Sequence, residues 1–216
     1  MINTTKNMSN IHKTALCAAA AASVILWSGC QTEPPKPSGF LSDYTHLKEA
    51  NDSTWKYVDA RGLAECDKFM IAPVKVMVAE YVGAALTSEQ QQKIADTFRD
   101  SIAKALAGRY QVVTSASPTT GEIRVALTRA YRVGNALAIG VEAEIVNSQS
   151  HQQLAAVTGV KIGAPEMAIN TNARDINNPS DPGTYMAGWW NRPAAAELMD
   201  RWADQIRRLL PDAHKR

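Results

Sequence analysis

Residues 122–146 read EIRVALTRAYRVGNALAIGVEAEIV, and the fold turns on this stretch. Ile123, Val125, Leu127, Tyr131 and Val133 alternate with other residues, interrupted by Arg129, and Leu137, Ile139, Val141, Ala143 and Ile145 do the same. A period of two marks a half-buried strand, so Glu122 to Val133 and Leu137 to Val146 are expected to form a hairpin. Both apolar sets fall on odd numbers. A two-residue Gly134-Asn135 turn would pair odd with even and send the sets to opposite faces. A three-residue Gly134-Asn135-Ala136 loop pairs odd with odd and is the expected connection. In that register Thr128 faces Glu142, Arg124 lies diagonal to Glu144, and the polar face is solvated.

Outward from the hairpin, a further long strand is expected over Leu154 to Ile162, after the polar turn Ser148-Gln149-Ser150-His151. A short strand precedes it at Tyr110 to Thr114. Upstream of that lies the clearest helix. Thr87 or Ser88 caps it, with Gln90 or Gln91 three residues on as a capping box. Ile94, Phe98, Ile102 and Leu106 recur at every fourth residue, the stripe of a helix packed on a core, and Gly108 stops it. Lys68 to Val82 is β-rich, with Pro73 confined to an edge or a bulge. The last helix starts near Pro193, a favoured first-turn residue, buries Leu198, Trp202, Ile206 and Leu209, and ends at Pro211. These elements run β-α-β-β-β-α. The fold class expected is α+β, a single mainly antiparallel sheet of four to five strands with two helices on one face.

The N-terminal region specifies an address. Lys6, His12 and Lys13 precede an apolar run from Ala15 to Trp27, with no acid before it. That run is about 13 residues long, in the range of a signal peptide and short of the ~20 needed to span a bilayer. It ends in Leu26-Trp27-Ser28-Gly29-Cys30, where small residues precede a cysteine as a lipoprotein signal peptidase requires. Trp27 stands where an aliphatic residue is usual. The competing reading is an ordinary secretory signal with Cys30 incidental, but no good Ala-x-Ala site is followed by polar mature sequence. Residues 1–29 are therefore expected to be a signal peptide, and Cys30 the lipidated residue. Residues 30–38 then form a Pro-rich tether, and 39–216 one α+β domain. Gln31 rather than Asp after the cysteine points to the outer membrane, facing the periplasm.

Of the chain's 216 residues, 23 are Lys or Arg and 21 are Asp or Glu, and the expected leader holds two of the lysines and no acid. The mature part is then electrically balanced, which gives no support to nucleic-acid binding. With Cys30 lipidated, Cys66 has no cysteine partner in the mature chain, and it reads as a small buried hydrophobe.

Cys30 is followed by the tether and by Gly-Phe-Leu-Ser-Asp-Tyr-Thr-His-Leu-Lys at 39–48. Tyr57-Val58-Asp59 and Ala72-Pro73-Val74 follow. Gly39 to Asp59 reads as an irregular segment packed onto the domain through Phe40, Tyr44, Trp55 and Tyr57. With these blocks the chain resembles the bacterial lipoproteins grouped as the domain of unknown function number 3313, the Gly-Phe-Leu-Ser-Asp-Tyr block being the specific part. The resemblance implies location and architecture, supplies no catalytic residue, and implies a shorter loop before the last helix than this chain has.

That loop, 163–192, carries Pro165, Pro179, Pro182, Gly183 and Gly188, and a loop this long is functional or poorly ordered. Tyr185, Trp189 and Trp190 within it are the candidate partner-binding residues, since exposed Trp often carries binding energy. The alternative is that the tryptophans cover the sheet and dock the last helix. His46, His151 and His214 stand at no metal-ligand spacing, and Asp175, Asn177 and Asp181 fit no EF-hand loop. No cofactor and no metal are expected. Glu142 and Glu144, two apart on one strand face, are the sort of pair glycosidases use, but such pairs on amphipathic strands are usually solvated. The function expected is a non-enzymatic envelope lipoprotein, held by lipid on Cys30 and binding an envelope protein or a cell-wall glycan. The alternatives are a hydrolase of cell-wall or lipid substrates using carboxylates, and a small-ligand carrier.

Overall fold

The long hairpin is the centre of an eight-stranded mixed sheet. In the computed structural model, residues 36–50, 53–78, 86–133, 136–163 and 193–211 are described. The strands are β1 (Lys48–Ala50), β2 (Thr54–Val58), β3 (Lys68–Ile71), β4 (Lys75–Val76), β5 (Gln111–Val112), β6 (Thr120–Val133), β7 (Ala136–Asn147) and β8 (Gln153–Ile162). They are ordered β1-β2-β8-β7-β6-β3-β5, with β4 also against β6. Among the described residues there are three helices, α1 (Ala60–Ala64), α2 (Ser88–Leu106) and α3 (Pro193–Arg207).

This corrects the expected fold class of four to five mainly antiparallel strands with two helices. β7 is antiparallel to both β6 and β8, and β2 is antiparallel to both β8 and β1. But β3 runs parallel to both β5 and β6, and β4 runs parallel to β6. The parallel pairing of β3 with β5 follows from the α2 crossover between them. Pro73 separates β3 from β4, and both pieces pair with the same strand. The stretch 39–59, expected to be irregular, supplies β1 and β2 and so extends the sheet beyond β8.

The capping box of α2 is formed by Thr87 and Gln90, with Gln90 N donating to Thr87 Oγ1 at 3.2 Å and Thr87 N donating to Gln90 Oε1 at 2.8 Å. Its stripe Ile94, Phe98, Ile102 and Leu106 is buried beside Leu198, Trp202 and Ile206 of α3 in one core. The Trp202 indole finds its buried partner in the sheet, donating to Ile139 O at 3.2 Å. α1 is held by the Asp59 carboxylate, which accepts from Arg61 N and Gly62 N, both at 3.1 Å.

The hairpin resolves its parity in a way the expected three-residue loop does not. From the turn inwards Val133 pairs Ala136, Tyr131 pairs Ala138 and Arg129 pairs Gly140, odd with even. Between Arg129 and Leu127 the register shifts, and from there Leu127 pairs Val141, Val125 pairs Ala143 and Ile123 pairs Ile145. Thr128 is therefore the extra residue of a β-bulge. The surplus residue is absorbed mid-strand, and two residues, Gly134 and Asn135, join the strands. Before the bulge the odd residues of β6 face the helices; after it the even ones do. Ala130 is 0% exposed and lies in the helix-side core, while Val133 is 44% exposed. Tyr131 and Val133, expected in the core, are turned to the second face with Arg129.

The bulge predicts a contrast between neighbours. Ala130→Asp places an unpaired charge in the core and should cost about 3 kcal/mol or more. Val133→Asp should stay within about 0.5 kcal/mol, as an exposed substitution does. Urea unfolding of the two variants measures the difference, and equal costs would refute the bulge.

Candidate functional site

The second face of the sheet carries the most concentrated polar chemistry among the described residues. β7 is the middle strand of the long antiparallel triplet, and every residue from Ala136 to Val146 is buried. Its odd residues are covered by the helices. Its even residues, Glu142 and Glu144 among them, point the other way. Glu142 is 2% exposed and Glu144 0%, so the face expected to be solvated is closed at this point.

The cover is residues 36–47. Phe40 and Leu41 form a small second core with Ala126 and Ala156, against which Tyr44, Leu47 and Tyr57 pack. Ala126 lies opposite Glu142 and Ala156 opposite Glu144, so the strands flanking β7 place small side chains where the segment needs room. Arg124 and Lys75 each stand 5.7 Å from the centre of the Phe40 ring, in cation–π range.

A buried carboxylate must be met by donors or charge, and the segment meets both. Ser38 N donates to Glu142 Oε1 at 3.0 Å and Ser38 Oγ to Glu142 Oε2 at 2.8 Å. The Tyr44 hydroxyl donates to the same Oε2 and accepts from Gly39 N at 3.0 Å and Leu41 N at 3.1 Å. Burial, and then the hydrogen bond given to Glu142, push the Tyr44 hydroxyl above its ordinary range. Glu144 Oε2 accepts from Ser42 N at 2.8 Å, Ser42 Oγ at 2.7 Å and Gln153 Nε2 at 2.9 Å. Its Oε1 pairs with Arg124 Nη1 at 2.7 Å. Further along, Arg129 Nη2 donates to Lys36 O at 2.9 Å. Gly140, opposite Arg129, leaves the space its side chain occupies: a Cβ there would come within 2.8 Å of Arg129 Cβ.

Chemically this is a clasp. Each carboxylate is occupied by three hydrogen bonds from the covering segment and its neighbours, and Glu144 by an arginine as well. A general base needs hydrogen-bond reach to a substrate proton, and both groups lie under the segment. The pair weighed as glycosidase-like is thus brought together by the fold, but into a structural role. Lys36 and Ser38, counted in the tether from the sequence, are already fastened to the sheet.

Cys30, Tyr185, Trp189 and Trp190 lie outside the described residues, as do Asp175, Asn177, Asp181 and His214. His46 is exposed on the segment, its Nδ1 2.8 Å from Asp43 Oδ2 and its ring 5.2 Å from that of Tyr57. The hydrogen bond from Thr45 N, then that from the Thr45 hydroxyl, hold the Asp43 carboxyl below its usual range. His151 lies in the β7–β8 turn with a left-handed φ of 57°. Cys66 is buried, with Sγ 3.8 Å from Gly62 O. Elsewhere, an open depression of about 390 Å³ beside β5 is lined by Lys68 and residues 112–117. It presents hydroxyls and one ammonium.

Ser38, Ser42 and Tyr44 are the residues that sequence reasoning missed as functional. The signal for Ser42 and Tyr44 was the Gly-Phe-Leu-Ser-Asp-Tyr block, whose Phe, Leu, Ser and Tyr all serve the clasp; Ser38 stands just before it. Residues 36–138 match the family model described as "Protein of unknown function (DUF3313)". The family resemblance is thereby shown. The match begins at the clasp and ends inside β7, leaving β8 and α3 outside it. No curated protein matches the chain. Among solved structures, the PelC dodecamer from Paraburkholderia phytofirmans is similar at 11% identity and TM-score 0.43, covering 74% of this chain and 99% of that one. A minor lipoprotein from Acinetobacter baumannii is similar at 12% identity and TM-score 0.39, covering 67% and 90%. A lipoprotein from Caulobacter crescentus is similar at 14% identity and TM-score 0.28, covering 69% and 92%. At these scores the likeness carries no statement about role.

The clasp predicts graded losses. Ser42→Ala removes one charge-assisted hydrogen bond and should cost about 1–2 kcal/mol. Glu144→Ala strands several donors and should cost about 3 kcal/mol. Amide hydrogen exchange provides the sharper reading: protection at Ser42 N should collapse in Glu144→Ala while that of α2 persists at the level set by global stability.

Proposed function

We propose that the protein is a lipid-anchored, non-enzymatic component of the bacterial envelope. It is held through a lipidated Cys30, at the outer membrane facing the periplasm, and presents its folded body to an envelope protein or cell-wall glycan. The observation that carries this reading is the placement of the tether. Cys30 closes a lipoprotein-like signal, and six residues later, at Lys36, the chain is bonded to the sheet. A diacylglyceryl cysteine with a further amide-linked acyl chain anchors durably, where one acyl chain alone does not. The clasp takes up Glu142 and Glu144, which weighs against the hydrolase alternative; Asp175 and Asp181, on which it could also draw, lie outside the described residues. The long stretch containing Tyr185, Trp189 and Trp190 is the proposed recognition element.

Two measurements test the two halves of the proposal. Cys30→Ser should abolish incorporation of labelled palmitate and move the protein from the membrane to the soluble fraction; continued membrane attachment would refute the anchor. Cross-linking in the intact envelope should capture a specific protein or glycan with the wild-type chain. Capture should be lost with Trp189→Ala/Trp190→Ala although Cys30 is still lipidated, and repeated recovery of nothing by the wild type would overturn the binding role.

A further inference from the structure

The clasp has a direction. Ser42 is bonded to Glu144, Ser38 to Glu142, and Lys36 to Arg129, which sits opposite Gly140. As residue number falls, the chain therefore advances along β7 from 144 to 142 to 140. It heads for the hairpin end of the sheet at Ala136. From Gly140 to Ala136 is about 13 Å at roughly 3.3 Å per strand residue. From Lys36 back to Cys30 the chain spans about 20 Å at most when extended. That length is enough for a lipid on Cys30 to reach the hairpin end from where the described chain begins.

That end exposes apolar side chains on the same face. Val133 and Ile162 are 44% and 48% exposed. They lie on the clasp face because Val133 pairs Ala136 and Ile162 pairs Ala138, both even positions of β7. Tyr131 and Val160 stand half-buried behind them. Cations lie at the same end of the sheet: Arg129 opposite Gly140 on the clasp face, and on the helix face Lys161, 5.1 Å over the Trp202 ring, and Arg201, donating to Ile162 O at 3.0 Å. Exposed aliphatics beside basic groups suit the boundary between anionic headgroups and acyl chains.

We infer that the hairpin end of the sheet, presenting Val133 and Ile162, is the surface by which the anchored protein rests on the lipid bilayer. This rests on the anchored reading above. The opposite end of the sheet, with Val112 at the level of Gly121, then points away from the membrane.

The test uses the lipidated full protein, reconstituted into phosphatidylethanolamine–phosphatidylglycerol vesicles. In a Cys66→Ala background, Val133→Cys, Ile162→Cys and Val112→Cys each carry an environment-sensitive fluorophore. Labels at 133 and 162 should shift to the blue and be quenched by lipid-borne spin labels, and the label at 112 should do neither. Equal quenching at all three, or none at 133 and 162 in protein that floats with the vesicles, would overturn the inference. Loss of flotation itself would instead sink the anchor, so the two failures are separable. A second variant inserts about ten Gly/Ser residues between Glu33 and Pro34, which lets the body drift from the bilayer. Flotation should remain and the selective quenching should fall; undiminished quenching would show that the tether does not set the orientation.

Discussion

The burial of β7 on both faces is the constraint from which the rest of the structure follows. A strand in the middle of a sheet covered on one side by helices ordinarily keeps its other side in water. Here the other side carries Glu142 and Glu144, and they are closed off. Two carboxylates out of water are tolerable only with donors aimed at them. Most of those donors come from one short segment, whose serine amides and hydroxyls and one tyrosine hydroxyl converge on three of the four oxygens, the fourth being met by Arg124. Glutamates and segment therefore need each other. Without the segment the acids are merely solvated; without the acids the segment keeps its small apolar core around Phe40 and Leu41 and two hydrogen bonds to its backbone, from Arg129 and Gln153.

The bulge at Thr128 serves the same end. Ala126, Glu142 and Arg124 must share one face for the segment to lie over alanine and for Arg124 to reach Glu144. The odd-with-odd register near Ile123–Leu127 provides this. The two-residue connection at Gly134-Asn135 dictates the opposite parity. One extra residue has to enter the strand, and it enters at Thr128, which turns Arg129 to the clasp face where it holds Lys36. The bulge thus reconciles the Val133–Ala136 pairing with the register the clasp needs and re-aims one arginine, a common use of such irregularities.

How much of this is legible in the sequence depends on length. β6, β7, β8, α2 and α3 each run for ten or more residues, long enough for a period to declare itself. β1 to β5 have two to five residues each, too few for alternation to register, and parallel pairing leaves no local mark at all. The parity argument correctly found a surplus residue but had two places to put it; Arg129, a charge at an apolar position, was the sign that the strand itself broke register. The glutamates were read as solvated because nothing within their own strand announces a cover. Their partners Ser38 and Ser42 lie 104 and 102 residues upstream, and contacts of that range are written in no local pattern.

The coupling between anchor and fold is the consequence with most reach. Composition draws the line between tether and domain after Ser38, where the prolines end. The hydrogen bonds draw it before Lys36. Two residues that a compositional boundary discards are thus a latch, one on Arg129 and one on Glu142, and the latch stands where the described chain begins. Force along the tether loads Lys36 O first, then the paired Ser38 bonds, and only then the buried Phe40 and Leu41. Charge-assisted hydrogen bonds to a buried carboxylate suit the second position in that series, because they are directional and among the stronger available. The first position is a single bond from the half-buried Arg129 to a backbone carbonyl. The order of strengths lets Lys36 release without disturbing the Ser38 bonds or the buried Phe40 and Leu41 behind them.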